Sequence, residues 1–97
     1  MRKQYFAYIQ ASKRDGVLYV GTTSNLAVRG DQHRAGITQG FTRKYYVHRL
    51  VYYEAYDNPE DAIRREKNIK AWKRAWKIEL IESVNPEWKD LGQTLLT

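Results

Sequence analysis

The chain contains no cysteine, which excludes a disulfide framework and any metal site built on thiolates. With two prolines and six glycines in 97 residues, it has no linker, no internal repeat and no low-complexity tract. No apolar run approaches the roughly 18 residues of a membrane span. The longest, Leu50 to Tyr53, has the length of a strand. No apolar segment follows the charged Met1-Arg2-Lys3-Gln4, so a secretory signal is not expected. A cytoplasmic protein is, free of any membrane, with association with the nucleoid left open. Acid is scarce relative to base: 11 Asp and Glu against 17 Lys and Arg, a formal net charge of +6.

What is present points to one basic globular domain. The length allows a single modest core. A pI near 9.7 favours encounter with polyanions, although many small domains are basic without a specific partner. Three Trp, eight Tyr and two Phe are a heavy aromatic load, and most must close the core.

The runs Tyr5 to Gln10 and Val17 to Thr22 are rich in aromatic and β-branched residues. They flank the polar, Gly-terminated stretch Ala11 to Gly16, which reads as a hairpin. Thr23-Ser24-Asn25 offers N-caps for a helix over about Leu26 to Arg34, stopped at Gly36. Gly30 inside that helix suggests close packing there. Arg49 to Tyr56 is the third strand. Asn58-Pro59-Glu60-Asp61 opens a helix running to about Ala71, followed by another over about Lys73 to Ser83. Asn85 before Pro86 reads as the N-cap of a short final turn. The fold class is α+β, a small three-stranded sheet covered by helices.

Strand alternation places Phe6, Tyr8 and Gln10 on one face, and Val17, Tyr19 and Gly21 on one face of the partner strand. A loop that sets Gln10 opposite Val17 sets Tyr8 opposite Tyr19, as a cross-strand phenol pair. Such a pair also serves as ordinary packing. Arg29 and His33, four apart, share a helical face. An arginine so placed can fork onto a phosphate, and a neighbouring histidine can relay a proton. An idle exposed pair is the plain alternative. At about 100° per residue, Glu66 falls between Ala62 and Ile63 and about 60° from Ile69, centred in the apolar stripe. A charge there needs a counter-ion or a metal. The counter-ion would be Lys70, at i,i+4, or an arginine from the preceding helix.

Phe6-Ala7-Tyr8, ten residues, then Tyr19-Val20-Gly21 resembles the paired triplets that name the GIY-YIG nuclease superfamily. The first triplet keeps only its Tyr, and the second has Val for Ile. Asn25 to His33 resembles the helix that carries the family arginine, and Ala62 to Trp72 the stretch that carries its metal-binding glutamate. Gly40 to Tyr45, Leu50 to Glu54 and Asn85 to Leu91 resemble a small stand-alone bacterial branch. The resemblance covers about residues 5–91 of a single domain spanning 1–97.

That resemblance implies a metal-dependent DNA endonuclease of the repair or recombination type. Glu66 is then the protein ligand of one Mg²⁺ or Mn²⁺, which prefers one carboxylate with waters and substrate phosphate. Arg29 contacts the phosphate. Tyr8 and Tyr19 orient or deprotonate the water, although a free phenol, with a pKa near 10, needs help to act as a base. His33 is a relay, and Asn85 orients the metal shell or buttresses the site. Lys13, Arg14, Arg43, Lys44, Lys67 and Lys70 are expected on duplex or branched DNA. No small-molecule cofactor is expected, and a protein partner is left open.

Glu54, between Tyr52 and Tyr56, could meet a basic neighbour and is also the reserve metal ligand, and His48 is read as structural or exposed. Trp72, Trp76 and Trp88 are read as core rather than as base-stacking platforms. Two other readings stand beside the nuclease: a catalytically weak nucleic-acid-binding module of this fold, and a protein-interaction domain with an aromatic surface.

Overall fold

A computed structural model describes residues 3–26 and 47–92. Three strands, β1 (Tyr5–Ala11), β2 (Leu18–Thr23) and β3 (Arg49–Tyr56), form an antiparallel sheet in the order β2-β1-β3. Two helices follow, α1 (Pro59–Ala71) and α2 (Arg74–Val84). The α+β architecture matches the sequence expectation.

β1 is buried on both faces, as a central strand between two layers must be, and Ala7 to Ala11 are all inaccessible. On one face Ile9, Ala11, Val20 and Tyr52 pack with Ile69 of α1 and Ile81 of α2. On the other, Tyr8 and Leu50 pack with Leu26, flanked by Phe6, Tyr19 and Leu91. β3 carries an irregularity opposite Ile9 and Gln10, with Val51 as the extra residue.

The hairpin register differs from expectation. Tyr8 lies opposite Gly21, and Tyr19 opposite Gln10. The loop closes two residues later on the β1 side, on Ser12 opposite Val17. Ser12 N–H donates to the Val17 carbonyl at 3.0 Å, and Val17 N–H donates to Ser12 Oγ at 3.0 Å. Gly16 N–H donates to Lys13 O at 2.9 Å, and Asp15 takes a left-handed φ of 57° that a short polar side chain tolerates. A shift of two leaves every side chain on its expected face. The phenols are therefore diagonal neighbours rather than directly opposed.

α1 starts as its sequence dictates. Asn58 Oδ1 accepts from Asp61 N–H at 2.9 Å, Pro59 occupies the first turn, and Glu60 and Asp61 meet the positive end of the helix dipole. Asn85 ends α2, with its N–H on Ile81 O at 2.8 Å, and also opens the expected short turn, its carbonyl accepting from Trp88 N–H at 3.0 Å. Residues 85–92 then run along β3. Leu91 N–H donates to Leu50 O at 2.8 Å, and Asp90 Oδ1 accepts from Leu50 N–H at 3.2 Å. Trp88 is fully buried at a φ of 57°, its indole N–H on Glu82 Oε2 at 2.8 Å. No helix among the described residues is long and apolar enough to cross a membrane.

Candidate active site

The tyrosine pair is built on a missing side chain. A Cβ on Gly21 would lie 2.7 Å from Tyr8 Oη and 2.9 Å from Tyr19 Cε1. Only glycine leaves room for the Tyr8 phenol to lie across the neighbouring strand. The two ring centroids are 6.3 Å apart with planes inclined at 44°. Tyr8 is fully buried and Tyr19 half-buried, so the patch opens toward β2, the edge strand among the described residues.

Glu66 lies at the margin of the buried stripe of α1, not at its centre. Ala62 and Ile69 are buried, whereas Ile63 is 43% exposed. The stripe therefore points between Ala62 and Ile69. At about 100° per residue, Arg65 and Glu66 flank it some 50° to either side. Arg65 reaches β3. Glu66 falls on the other flank, with Pro59 and Ile63, which border Thr22 and Thr23 of β2.

The Glu66 side chain is 12% exposed, and Lys70 Nζ lies 2.5 Å from its Oε1. This is one of the two counter-ions the spacing allows. The Lys70 ammonium is held above its ordinary pKa chiefly by that hydrogen bond, and Tyr19 pushes in the same direction.

Glu54 is not a reserve ligand, because its oxygens are already taken. Arg65 Nε donates to Oε1 at 2.9 Å and Nη2 to Oε2 at 3.0 Å, while Tyr56 donates to Oε1 at 2.5 Å and Tyr52 to Oε2. Burial raises the Glu54 carboxyl, but these four donors outweigh it and hold the group below its ordinary value. The phenols respond in the opposite sense. Burial and then the carboxylate push Tyr56 up to about 12 and Tyr52 higher still. The basic neighbour expected of Glu54 is Arg65, whose identity the sequence did not mark, because the two lie 11 positions apart on different elements.

Asn85 is buried, and its amide is a structural staple. Nδ2 donates to Val51 O at 3.0 Å and Lys89 O at 2.9 Å, and Oδ1 accepts from Lys89 N–H at 3.0 Å. That places it on β3, across the sheet from β2. Gln10 was not singled out by sequence. Its side chain lies beside both tyrosines, with both amide atoms buried and without a hydrogen-bond partner. A buried amide in that state is costly.

Lys13, Arg14 and Lys67 are exposed. The hairpin loop that carries the first two is pinned to α2, because Arg74 Nη2 donates to the carbonyls of Asp15 and Gly16 at 2.6 Å each. Arg29, His33, Arg43 and Lys44 lie outside the described residues. The structure therefore pairs Tyr8 with Tyr19 and Glu66 with Lys70, and sets Asn85 on β3, across the sheet from β2. Among the described residues no three His, Cys, Asp or Glu side chains form a metal cluster.

Residues 4–79 match the family described as the GIY-YIG catalytic domain. A UPF0213 protein of Staphylococcus haemolyticus is 35% identical over 79 residues, 81% of this chain and 95% of that one. A UPF0213 protein of Staphylococcus aureus is 33% identical over 78 residues, covering 80% and 94%. The solution NMR structure of a UPF0213 protein from Bacillus halodurans superposes with a TM-score of 0.55 at 28% identity, covering 97% of each chain. With its paired tyrosines set over Gly21 and Glu66 inside the matched segment, the chain belongs to the GIY-YIG family of catalytic domains, whose activity is that of a nuclease.

Proposed function

We propose that this chain is a divalent-metal-dependent endonuclease that hydrolyses phosphodiester bonds of DNA, acting in the cytoplasm on structures of the repair or recombination kind. The observation that carries the proposal is the Tyr8–Tyr19 pair seated over Gly21 in a chain whose matched segment also holds a half-buried helical carboxylate, Glu66, with a displaceable counter-ion. Phosphodiester hydrolysis needs a positioned water and neutralisation of charge around phosphorus. The phenols suit the first task and the carboxylate, through a cation, the second.

The donor set fits Mg²⁺ or Mn²⁺. Glu66 offers one hard carboxylate, and its counter-ion is a long arm, 55% exposed, that can leave. A small hard cation takes such a carboxylate and completes its shell with water and phosphate oxygen. Bound there, it would supply Lewis-acid stabilisation of the scissile phosphate and the leaving oxygen.

The protein side of the reaction is then divided as follows. Tyr8 and Tyr19 orient the attacking water, and one of them passes its proton on, with His33 as relay. Arg29 forks onto the phosphate. Lys70, released from Glu66, meets a backbone phosphate together with Lys67. Lys13, Arg14, Arg43 and Lys44 hold flanking phosphates, which position the strand without reading its sequence. Asn85 acts at a distance by holding residues 85–92 on β3.

The test is to incubate purified protein with nicked, branched, flapped and duplex DNA in Mg²⁺ or Mn²⁺. Cutting above the level of a Glu66→Ala control is expected; its absence on every substrate ends the nuclease reading. The Glu66–Lys70 ion pair favours one competitor, a binding module of the same fold, because it neutralises the carboxylate without metal. Metal-independent DNA binding that Glu66→Ala leaves unchanged, with no cutting, would select that module.

A further inference from the structure

α2 has a second apolar face, more exposed than the one on the core and joined to it through Leu80, which packs against the core's margin. Ile81 is fully buried and Ile78 packs beside it. Trp76 lies roughly 140° around the helix from Ile81, at about 100° per residue, and Leu80 and Ser83 fall within some 40° of Trp76. These three, with Glu79 and with Trp72 from the end of α1, line a groove of about 470 Å³. That volume suits a bound small molecule or a nucleotide-sized group. Trp76 is 50% exposed, contrary to its reading as core. A half-exposed indole beside such a groove offers a flat apolar surface to a ligand.

The groove has the chemistry of a nucleobase site. Trp72 and Trp76 meet edge to face, centroids 6.2 Å apart and planes at 80°, which makes a corner with one flat wall and one edge. Cations edge the corner: Lys73 Nζ is 4.8 Å from the Trp76 centroid, and the Arg65 guanidinium is 5.0 Å from that of Trp72. Around α2, Lys73 and Lys77 fall on one side of Trp76 and Glu79 on the other. Base stacking on indole combined with backbone-tracking cations is how single strands are held. A carboxylate across the groove can accept the exocyclic amino group of a base, as acidic side chains do with cytosine. The Arg74 staple sets the Lys13 and Arg14 loop beside the start of α2 and continues the basic rim.

We infer that the Trp72–Trp76 groove holds an unstacked base of a single-stranded stretch of DNA, its phosphates on the Lys73–Lys77 side and its amino edge toward Glu79. The inference rests on DNA as the proposed substrate, and assigns the chain a preference for substrates with a single-stranded segment. Its groove lies on the Arg65 side of α1, whereas Glu66 lies on the other.

The test is binding of fluorescein-labelled (dC)12, (dA)12 and (dT)12, of the RNA (C)12 and of a blunt duplex to the full chain in EDTA, where no metal-dependent cutting can occur. Trp76→Ala is expected to weaken single-strand binding roughly 5- to 150-fold, the range of one lost base stack. Duplex affinity should hold, and Trp76→Phe should restore most of the loss. Glu79→Ala should remove the advantage of (dC)12 and (dA)12 over (dT)12. Thermal melting of each variant checks the fold.

Single-strand affinity unchanged by Trp76→Ala, or single-strand and duplex affinity falling together, overturns the inference. So does tighter binding of the RNA than of its DNA counterpart. Wild-type self-association that Trp76→Ala abolishes with no effect on oligonucleotides would assign the groove to a second copy and overturn it too. Failure of cleavage in the Glu66 experiment leaves this binding result standing, so the two readings can fail separately.

Discussion

Tyr8 and Gly21 face each other across β1 and β2 so closely that a methyl group on Gly21 would lie 2.7 Å from the Tyr8 hydroxyl. The phenol pair therefore depends on a hydrogen atom where any other residue has carbon. Tyr8 is fully buried and cannot swing aside, so the strain must fall on the ring or on the strand.

Gly21→Ala should destabilise the domain by about 1–3 kcal/mol, the usual cost of overpacking. It should also displace both phenols and depress DNA cleavage more than it depresses stability. Urea melts alongside cleavage at a temperature where the variant is fully folded would measure both. Full activity in a stably folded variant would show that the tyrosine geometry is not used.

Lys70 competes with any cation for Glu66, since its ammonium sits on the carboxylate. Lys70→Met keeps the aliphatic arm and removes the charge. Mn²⁺ should bind the variant several-fold more tightly, read by the loss of free-ion paramagnetic resonance, while affinity for DNA falls. Glu66→Ala should abolish the site altogether. Equal Mn²⁺ affinity in wild type and both variants would place the metal elsewhere.

The Glu54 cluster gives stability a defined dependence on pH. The carboxyl is depressed from 4.5, so its contribution is present above the unfolded value and is lost as pH falls through the lower folded value. Tyr56 is raised from 10.0 to about 12, so its contribution is complete below pH 10 and is lost between there and about 12. Unfolding free energy should decline at both extremes, and Glu54→Gln should flatten both limbs. Arg65→Met should cost about 2 kcal/mol, less than a fully buried pair because both partners keep some solvent. Limbs unchanged in Glu54→Gln would assign the pH dependence to other groups.

Asn85 uses both amide donors and its acceptor on backbone groups. Asn85→Ala should cost about 2–3 kcal/mol through the unsatisfied buried carbonyls. Activity per folded molecule should stay within a few-fold of wild type, as suits a positioning residue. A loss of turnover comparable to Glu66→Ala, at unchanged stability, would instead put the amide in contact with substrate or metal.

The architecture could be read from sequence because period-two strands and capped helices leave local marks. The hairpin faces, the Asn58-Pro59 start and the break near Lys73 all emerged from residue type and spacing. Register did not, because alternation fixes which face a residue takes and leaves the offset to loop hydrogen bonds, here those of Ser12. Asn85 was legible as the start of the final turn but not as the end of α2, for a related reason. Asn before Pro marks an interruption, and only the surrounding chain decides whether it ends one helix or opens another.

The site was legible where residue type constrains chemistry. A glutamate read as centred in an apolar stripe needed a counter-ion, and Lys70 at i,i+4 was one of two named, although the structure sets Glu66 at the margin of that stripe. Glu54 looked available because its partner Arg65 lies on another element, and pairing across elements leaves no local signature. Trp76 looked like core since large aromatics usually are. The counter-signal was a second apolar stripe on α2, which a helix packed on one side does not need.

The tail from Asn85 to Leu91 has a consequence for solubility. β3 ends the sheet on that side among the described strands, and an outermost strand is a template for pairing with another chain. Here the outward groups of Leu50 and Val51 are engaged by Asp90, Leu91 and Asn85, so that stretch of the border is closed from within. Chain shortened to Val84 would bare those groups, and the same backbone that keeps the protein apart from its copies would become the place where copies join.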